Sequence, residues 1–448
     1  LPIFSVGGVL DATGEDIRIE TSGPVTLRDV FTSATGDDST IGDATNGALE
    51  VTAAGAVSDA PGSAVAVDGD ASFVAATAAR DDFFDVLLNE PGAHTVAGGL
   101  TVDAEDATVA LAGPAELRSI ATRAGGVSPG DANADPTIDG DGGFALSAVG
   151  AIANSGALSI DSDGGVFLAT GGDVLLLDPA GAEAVTASNL GGSAGGTFRA
   201  EIEGPLALGS ISAGTIDISS ASGAISARDG AVLDAGTVTL GASGALELPS
   251  VDAGVALFSG AGPIPITLAD GATLTLGDAV FSTQGGGFGI PSLTADTLTV
   301  STEGGGIGMA EADTVVAVSG ETTLIAGSES GGFFDVIVFF EELGGPVAMT
   351  AEDVSILTLG GTLQLGDVRT VLTSNDPNTQ GDVTGFNFSA INRGGPVIDA
   401  PGSTIATEGS FSVGAQGAGP PFETFDVAFD NPGHEFGGVV SITGEDVV

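Results

Sequence analysis

Gly437-Gly438-Val439-Val440-Ser441-Ile442-Thr443-Gly444-Glu445-Asp446 is a phrase this chain uses four times. The other copies are Gly7-Gly8-Val9-Leu10-Asp11-Ala12-Thr13-Gly14-Glu15-Asp16, Gly98-Gly99-Leu100-Thr101-Val102-Asp103-Ala104-Glu105-Asp106 and Gly344-Gly345-Pro346-Val347-Ala348-Met349-Thr350-Ala351-Glu352-Asp353. A double glycine, an alternating stretch and a Glu-Asp corner recur together. Self-similarity of this kind marks a repeat architecture.

Working outward, the longer unit between two such phrases also repeats. The turn Asp59-Ala60-Pro61-Gly62-Ser63 returns unchanged as Asp399-Ala400-Pro401-Gly402-Ser403. Phe83-Phe84-Asp85-Val86 is echoed by Phe425-Asp426-Val427, and Asn89-Glu90-Pro91-Gly92-Ala93-His94 by Asp430-Asn431-Pro432-Gly433-His434. Two related supermodules, 7–106 and 344–448, therefore flank a less regular middle, 107–343, in what reads as one continuous solenoid over 1–448.

Between these landmarks lie short apolar alternations such as Leu158-Ser159-Ile160, Leu206-Ala207-Leu208, Ile216-Asp217-Ile218 and Thr273-Leu274-Thr275-Leu276. Gly, Asp, Asn, Ser and Pro separate them, the residues that make turns. Period-2 alternation predicts half-buried strands, and no segment sustains the 3.6-residue period of a helix. The expected fold is all-β with very little helix, at most a short turn near Ala78–Asp82. Rungs of ~20 residues would stack ~4.8 Å apart, burying columns of Val, Ile, Leu, Ala and Phe.

Composition narrows the function. Gly is 74 of 448 residues, too many for long helices. Sixty acidic residues face nine basic ones, all of them Arg, for a net charge of −51. Nucleic acid and anionic membrane surfaces need cationic patches and are excluded as expected partners. No stretch reaches the ~20 apolar residues of a spanning helix. Cys, Trp and Tyr are absent.

The run from Asp430 to Val447, with its Asn-Pro-Gly turn, Phe436-Gly437-Gly438 and following strand, resembles repeats of filamentous-haemagglutinin-type exoproteins and large bacterial autotransporter adhesins. Asn89 to Val109 resembles it too, with Val96-Ala97 where the later copy has Phe436. The resemblance implies a right-handed parallel β-helix (β-solenoid), a secreted or cell-surface location in a bacterium, and adhesive or scaffolding work.

Candidate chemistry is sparse. Asp131, Asn133, Asp135 and Asp139 place oxygen ligands at alternate positions, as a Ca²⁺ loop does, but Pro136 and Gly142 stand where that loop has Gly and Glu. Asp37-Asp38 and Asp376-Pro377-Asn378 are weaker versions. His94 and His434, the two histidines, occupy equivalent repeat positions and read as turn residues. The Glu-Asp pairs read as solvated corners, because adjacent strand residues point to opposite faces. Of consecutive pairs such as Phe83-Phe84, Phe333-Phe334 and Phe339-Phe340, one ring enters the core and the other covers a loop or meets a partner.

We therefore expect a non-enzymatic structural or adhesive β-solenoid: a segment of a large surface exoprotein, or a subunit of an end-to-end fibre. Self-association end to end and contact with cell-surface or matrix components are the expected interactions. A polysaccharide-acting β-helix enzyme and a Ca²⁺-dependent surface-layer or matrix protein are the alternatives. Ca²⁺ is the one cofactor considered.

Overall fold

The protein's structure, a computed structural model, describes residues 9–34, 47–123, 142–177, 185–262, 265–310, 314–328, 332–371, 386–417 and 423–448. Among the described residues there is no helix; the segment after Thr77 is a turn. Ladders along the coils are parallel. Among the described residues, antiparallel pairing is confined to local hairpins, at Ala76/Phe83, Gly327/Phe333 and Gln416/Thr424. The fold is a parallel β-solenoid.

The chain divides into two compact units, Leu1–Gly223 with Ala227–Ala235, and Ala224–Ser226 with Gly236–Val448. In the first, Val25, Val57, Val86, Ala107, Phe144 and Val166 stack in register, one per coil, and all are buried. A second column runs Ile19, Val51, Phe73, Val102, Ile120, Ile160 and Ala187. In the second unit, Phe258, Phe281, Val300, Leu324, Met349, Val368 and Ile405 form one column. A seven-stranded sheet in the same unit contributes another, from Phe288 through Ile307, Val336, Val354, Phe388 and Phe411 to Val440. Adjacent rings in these columns stack: Phe388 and Phe411 lie 5.1 Å apart and Phe281 and Phe288 5.0 Å apart. No rung can bury its inward face alone, so the core exists only through stacking.

Coil-to-coil contacts in the regular stretches join residues 19, 20, 22 and 23 positions apart, close to the expected rung. Strand length differs from expectation. Leu206–Ser220 is one fifteen-residue strand, where two short strands were predicted. Residues 209–215, Gly-Ser-Ile-Ser-Ala-Gly-Thr, hold Gly and Ser but no Pro, Asp or Asn, and the strand runs on through a register shift between Leu208 and Ile211 before pairing resumes at Thr215.

Corners are closed by side chains. Thr21 donates to the Gly23 carbonyl at 2.6 Å, Thr283 to Gly286 at 3.2 Å and Ser220 to Gly204 at 2.8 Å. Fully buried Asn392 donates to the Gly361 and Pro396 carbonyls and accepts from Thr358 and the Gly394 N–H. Each bond satisfies a polar group that would be costly to bury unpaired.

Glycine is required where a corner rides on proline. A Cβ on Gly55 would lie 2.5 Å from the Pro24 nitrogen, one on Gly150 2.8 Å from that of Pro114, and one on Gly223 2.4 Å from that of Pro205. Three coil pairs thus share one close approach that only Gly permits.

Candidate functional site

The Glu-Asp corners need correction first. Glu105 and Asp106 are buried, and the pair 352–353 is half-buried; only 15–16 and 445–446 stand in solvent. The aspartates reach along the stack. Asp16 Oδ1 accepts the Ala48 N–H at 2.8 Å, Asp106 Oδ1 the Gly143 N–H at 2.6 Å and Asp353 Oδ1 the Asn387 N–H at 2.5 Å. Each acceptor ends one rung and each donor precedes the first strand residue of the next. In the middle rungs serine takes the same place: Ser210 accepts from Val232, Ser250 from Thr273 and Ser292 from Val315. An acceptor one residue before an inward-facing apolar residue was the available signal, and it is hidden because Asp and Ser alternate in the role.

The most organised polar cluster joins two motifs that look unrelated in sequence. The turn after Asp59 has Gly62 at φ +74°, and the next coil's turn before His94 has Gly92 at φ +72°. These turns aim the His94 ring back at the earlier coil. His94 Nε2 lies 2.9 Å from Asp59 Oδ2, and His94 Nδ1 accepts the Val65 N–H at 3.1 Å. Asp59 Oδ2 also accepts the Glu90 N–H at 2.7 Å. Both side chains are almost fully buried, 2% exposed for His94 and 7% for Asp59.

The second unit repeats this arrangement. His434 Nε2 lies 3.1 Å from Asp399 Oδ2 and its Nδ1 accepts the Ile405 N–H at 3.1 Å. Asp399 further accepts the Asn431 N–H at 2.9 Å and the Asp430 N–H at 3.3 Å. Burial pushes the Asp399 carboxyl up, but the Asn431 N–H, the His434 ring and the Asp430 N–H outweigh it and hold the group below its usual value.

This geometry sets the chemistry. A ring nitrogen that accepts a backbone N–H carries no proton, so the proton sits on Nε2 and is donated to the carboxylate. Ser63 is buried in the same turn, which gives the Asp, Ser and His residue types of a hydrolytic triad. Both nitrogens of His94 are occupied by Asp59 and Val65, however, so neither is left to activate a hydroxyl. The same occupancy leaves no lone pair for a metal. Each histidine is thus a clip between successive coils.

The predicted Ca²⁺ residues Asp131, Asn133, Asp135 and Asp139 lie outside the described residues, as do Asp37-Asp38 and Asp376-Pro377-Asn378. Among the described residues no group of three or more His, Asp or Glu could hold a metal ion. The consecutive Phe pairs divide as expected at 333–334 and 339–340: Phe333 and Phe340 are buried, while Phe334 and Phe339 are half-buried. Phe83 and Phe84 depart from it, both half-buried beside the Ala76/Phe83 hairpin. An open groove of about 830 Å³ in the second unit is lined by Ile266, Phe288 and Met309, with Asp270 its one carboxylate among the described residues.

Arginines are drawn into coil-to-coil pairs. Arg28 bonds Asp11, Arg118 pairs with Asp70 at 2.9 Å, Arg123 with Asp161 at 2.8 Å and Arg199 with Asp217 at 3.3 Å. These pairs are half-exposed and each contributes little. The Arg28 hydrogen bond nonetheless holds the Asp11 carboxyl below its ordinary value. Among the described residues no helix is long and apolar enough to cross a membrane.

No curated protein and no solved structure matches the chain. Residues 27–94 match the family described as repeats of unknown function (DUF5649), a stretch that contains both halves of the first clip, Asp59 and His94.

Proposed function

We propose that this chain is a structural or adhesive β-solenoid of a bacterial exterior, working by its surface and by self-association rather than by turnover. One observation carries the reading: the buried His and Asp side chains, twice over, bond the backbone and side chains of the neighbouring coil. Polar groups spent this way hold a scaffold. The likeness of Asp430–Val447 to exoprotein and adhesin repeats supports an exterior location, as does a surface charge that repels nucleic acid and anionic lipid.

End-to-end growth is the mode of assembly. Val440 continues a column whose previous member, Phe411, is fully buried, yet Val440 is 45% exposed and Val439 72%. A further coil would cover that face and pair its open backbone edge, and a second copy that supplies it makes the stack grow end to end. Light scattering against concentration tests this. Growth beyond a pair that Val440→Asp abolishes supports the reading; single-chain mass at every concentration overturns it.

A further inference from the structure

The outward face of the seven-stranded sheet carries no charge, in a chain of net charge −51. One outward column reads Ile337, Ser355, Ser389, Ser412, Ser441. The other reads Phe339, Leu357, Ile391, Gly414, Thr443. Gly289 and Gly308 extend the face below Ile337. Charges resume only beyond the strand ends, at Asp335, Asp353, Glu341 and Arg393. Outward columns in the first unit vary: Arg18, Glu50, Ser72, Thr101 and Glu20, Thr52, Val74, Asp103 carry charge in both rows, whereas Thr108, Ala145, Phe167 and Ala110, Ser147, Ala169 are neutral. The neutral face sets a serine column beside apolar side chains and is open, with Ile337 60% exposed and Ile391 40% exposed.

We infer that this face pairs side by side with the same face of a second copy. Shape and charge both favour a copy as the occupant. A two-fold axis parallel to the stacking direction sets Leu357 and Ile391 against Ser355 and Ser389 of the second copy, and the reverse, while Phe339 meets Ile337. Ridge meets groove on both sides, as in face-to-face sheet packing ~10 Å apart. Two copies of so acidic a chain repel wherever carboxylates oppose, and this face is one on which they approach without them. Seven strands ~4.8 Å apart and three to five residues long cover ~500 Å² per copy, or ~1,000 Å² for the pair, the lower edge of specific interfaces. The pairing is consequently weak and governed by salt. Repulsion between the acidic flanks reaches ~30 Å at ~0.01 M salt and only ~3 Å at ~1 M.

The inference rests on the self-associating reading above but uses the side of the coil, not its end, so the two fail separately. Sedimentation of the full chain at ~0.01 M and ~1 M salt tests it, with circular dichroism confirming the fold of each variant. With Val440→Asp in place to remove end-to-end growth, the chain is expected as single copies at low salt and as pairs at high salt. Ile391→Asp and Ser389→Asp put a carboxylate on the face and should weaken pairing at least about tenfold at ~1 M salt. Thr299→Asp, outward on another sheet, added to Val440→Asp should leave that pairing unchanged. A Val440→Asp chain that stays single at high salt, or one with Ile391→Asp added that pairs normally, overturns the inference. So does a single-copy Val440→Asp chain that a neutral polysaccharide matrix retains and Ile391→Asp releases, since the face would then belong to a glycan.

Discussion

At the scale of single residues, the clips are the strongest local interactions. His94 contributes a bond to a buried carboxylate and an acceptor for a buried N–H. Replacing it by Leu keeps the volume roughly but leaves both partners unsatisfied. His94→Leu should cost about 2–4 kcal/mol in chemical denaturation, whereas Glu90→Gln, which leaves the backbone N–H to Asp59 in place, should be near neutral. The second clip adds a pH signature. The folded Asp399 carboxyl titrates below its usual 3.8, so its contribution is present above that value and is lost as pH falls through the folded value. Acid titration of stability should show the wild type weakening below about pH 4 more steeply than Asp399→Asn, which has no carboxylate to protonate.

Among the elements, corners rather than strands carry the specific design. The strands need only alternate, whereas each corner must satisfy turned-away carbonyls and pass close to the corner beneath. Gly223 rides on Pro205 with no space for a Cβ, while Gly204 has nothing within 4 Å of its own. Gly223→Ala should therefore destabilise by about 1–3 kcal/mol through overpacking, and Gly204→Ala should be neutral or slightly stabilising; thermal melts of the two variants separate the cases. Strand identity was legible from the period-2 pattern of Leu158-Ser159-Ile160 and its like, because burial of alternate residues imposes it. Strand length was not legible at Leu206–Ser220, because Gly209, Ser210, Ser212 and Gly214 mark a turn in composition while the extended backbone runs through them. The corner acceptors escaped for a related reason: Asp106 and Ser292 do one job with different chemistry.

Over the whole molecule, the repeat itself was the legible feature. The recurring Glu-Asp phrases close equivalent corners through Asp16, Asp106 and Asp353, and the identical turns at 59–63 and 399–403 hold equivalent aspartates. What the repeat concealed was the pairing of each turn with a histidine 35 residues later. Stacking sets one coil on another without regard to motif boundaries, so residues from two separate motifs meet. The central claim is that these buried polar groups tie coil to coil and present no reactive nitrogen. Nitrogen-15 NMR of the imidazoles tests it most directly, because the chain has two histidines and each reports one clip. Near neutral pH both rings should be neutral, protonated at Nε2, with Nδ1 bare and accepting a hydrogen bond. A ring protonated at Nδ1 with Nε2 free, at either position, would contradict the account.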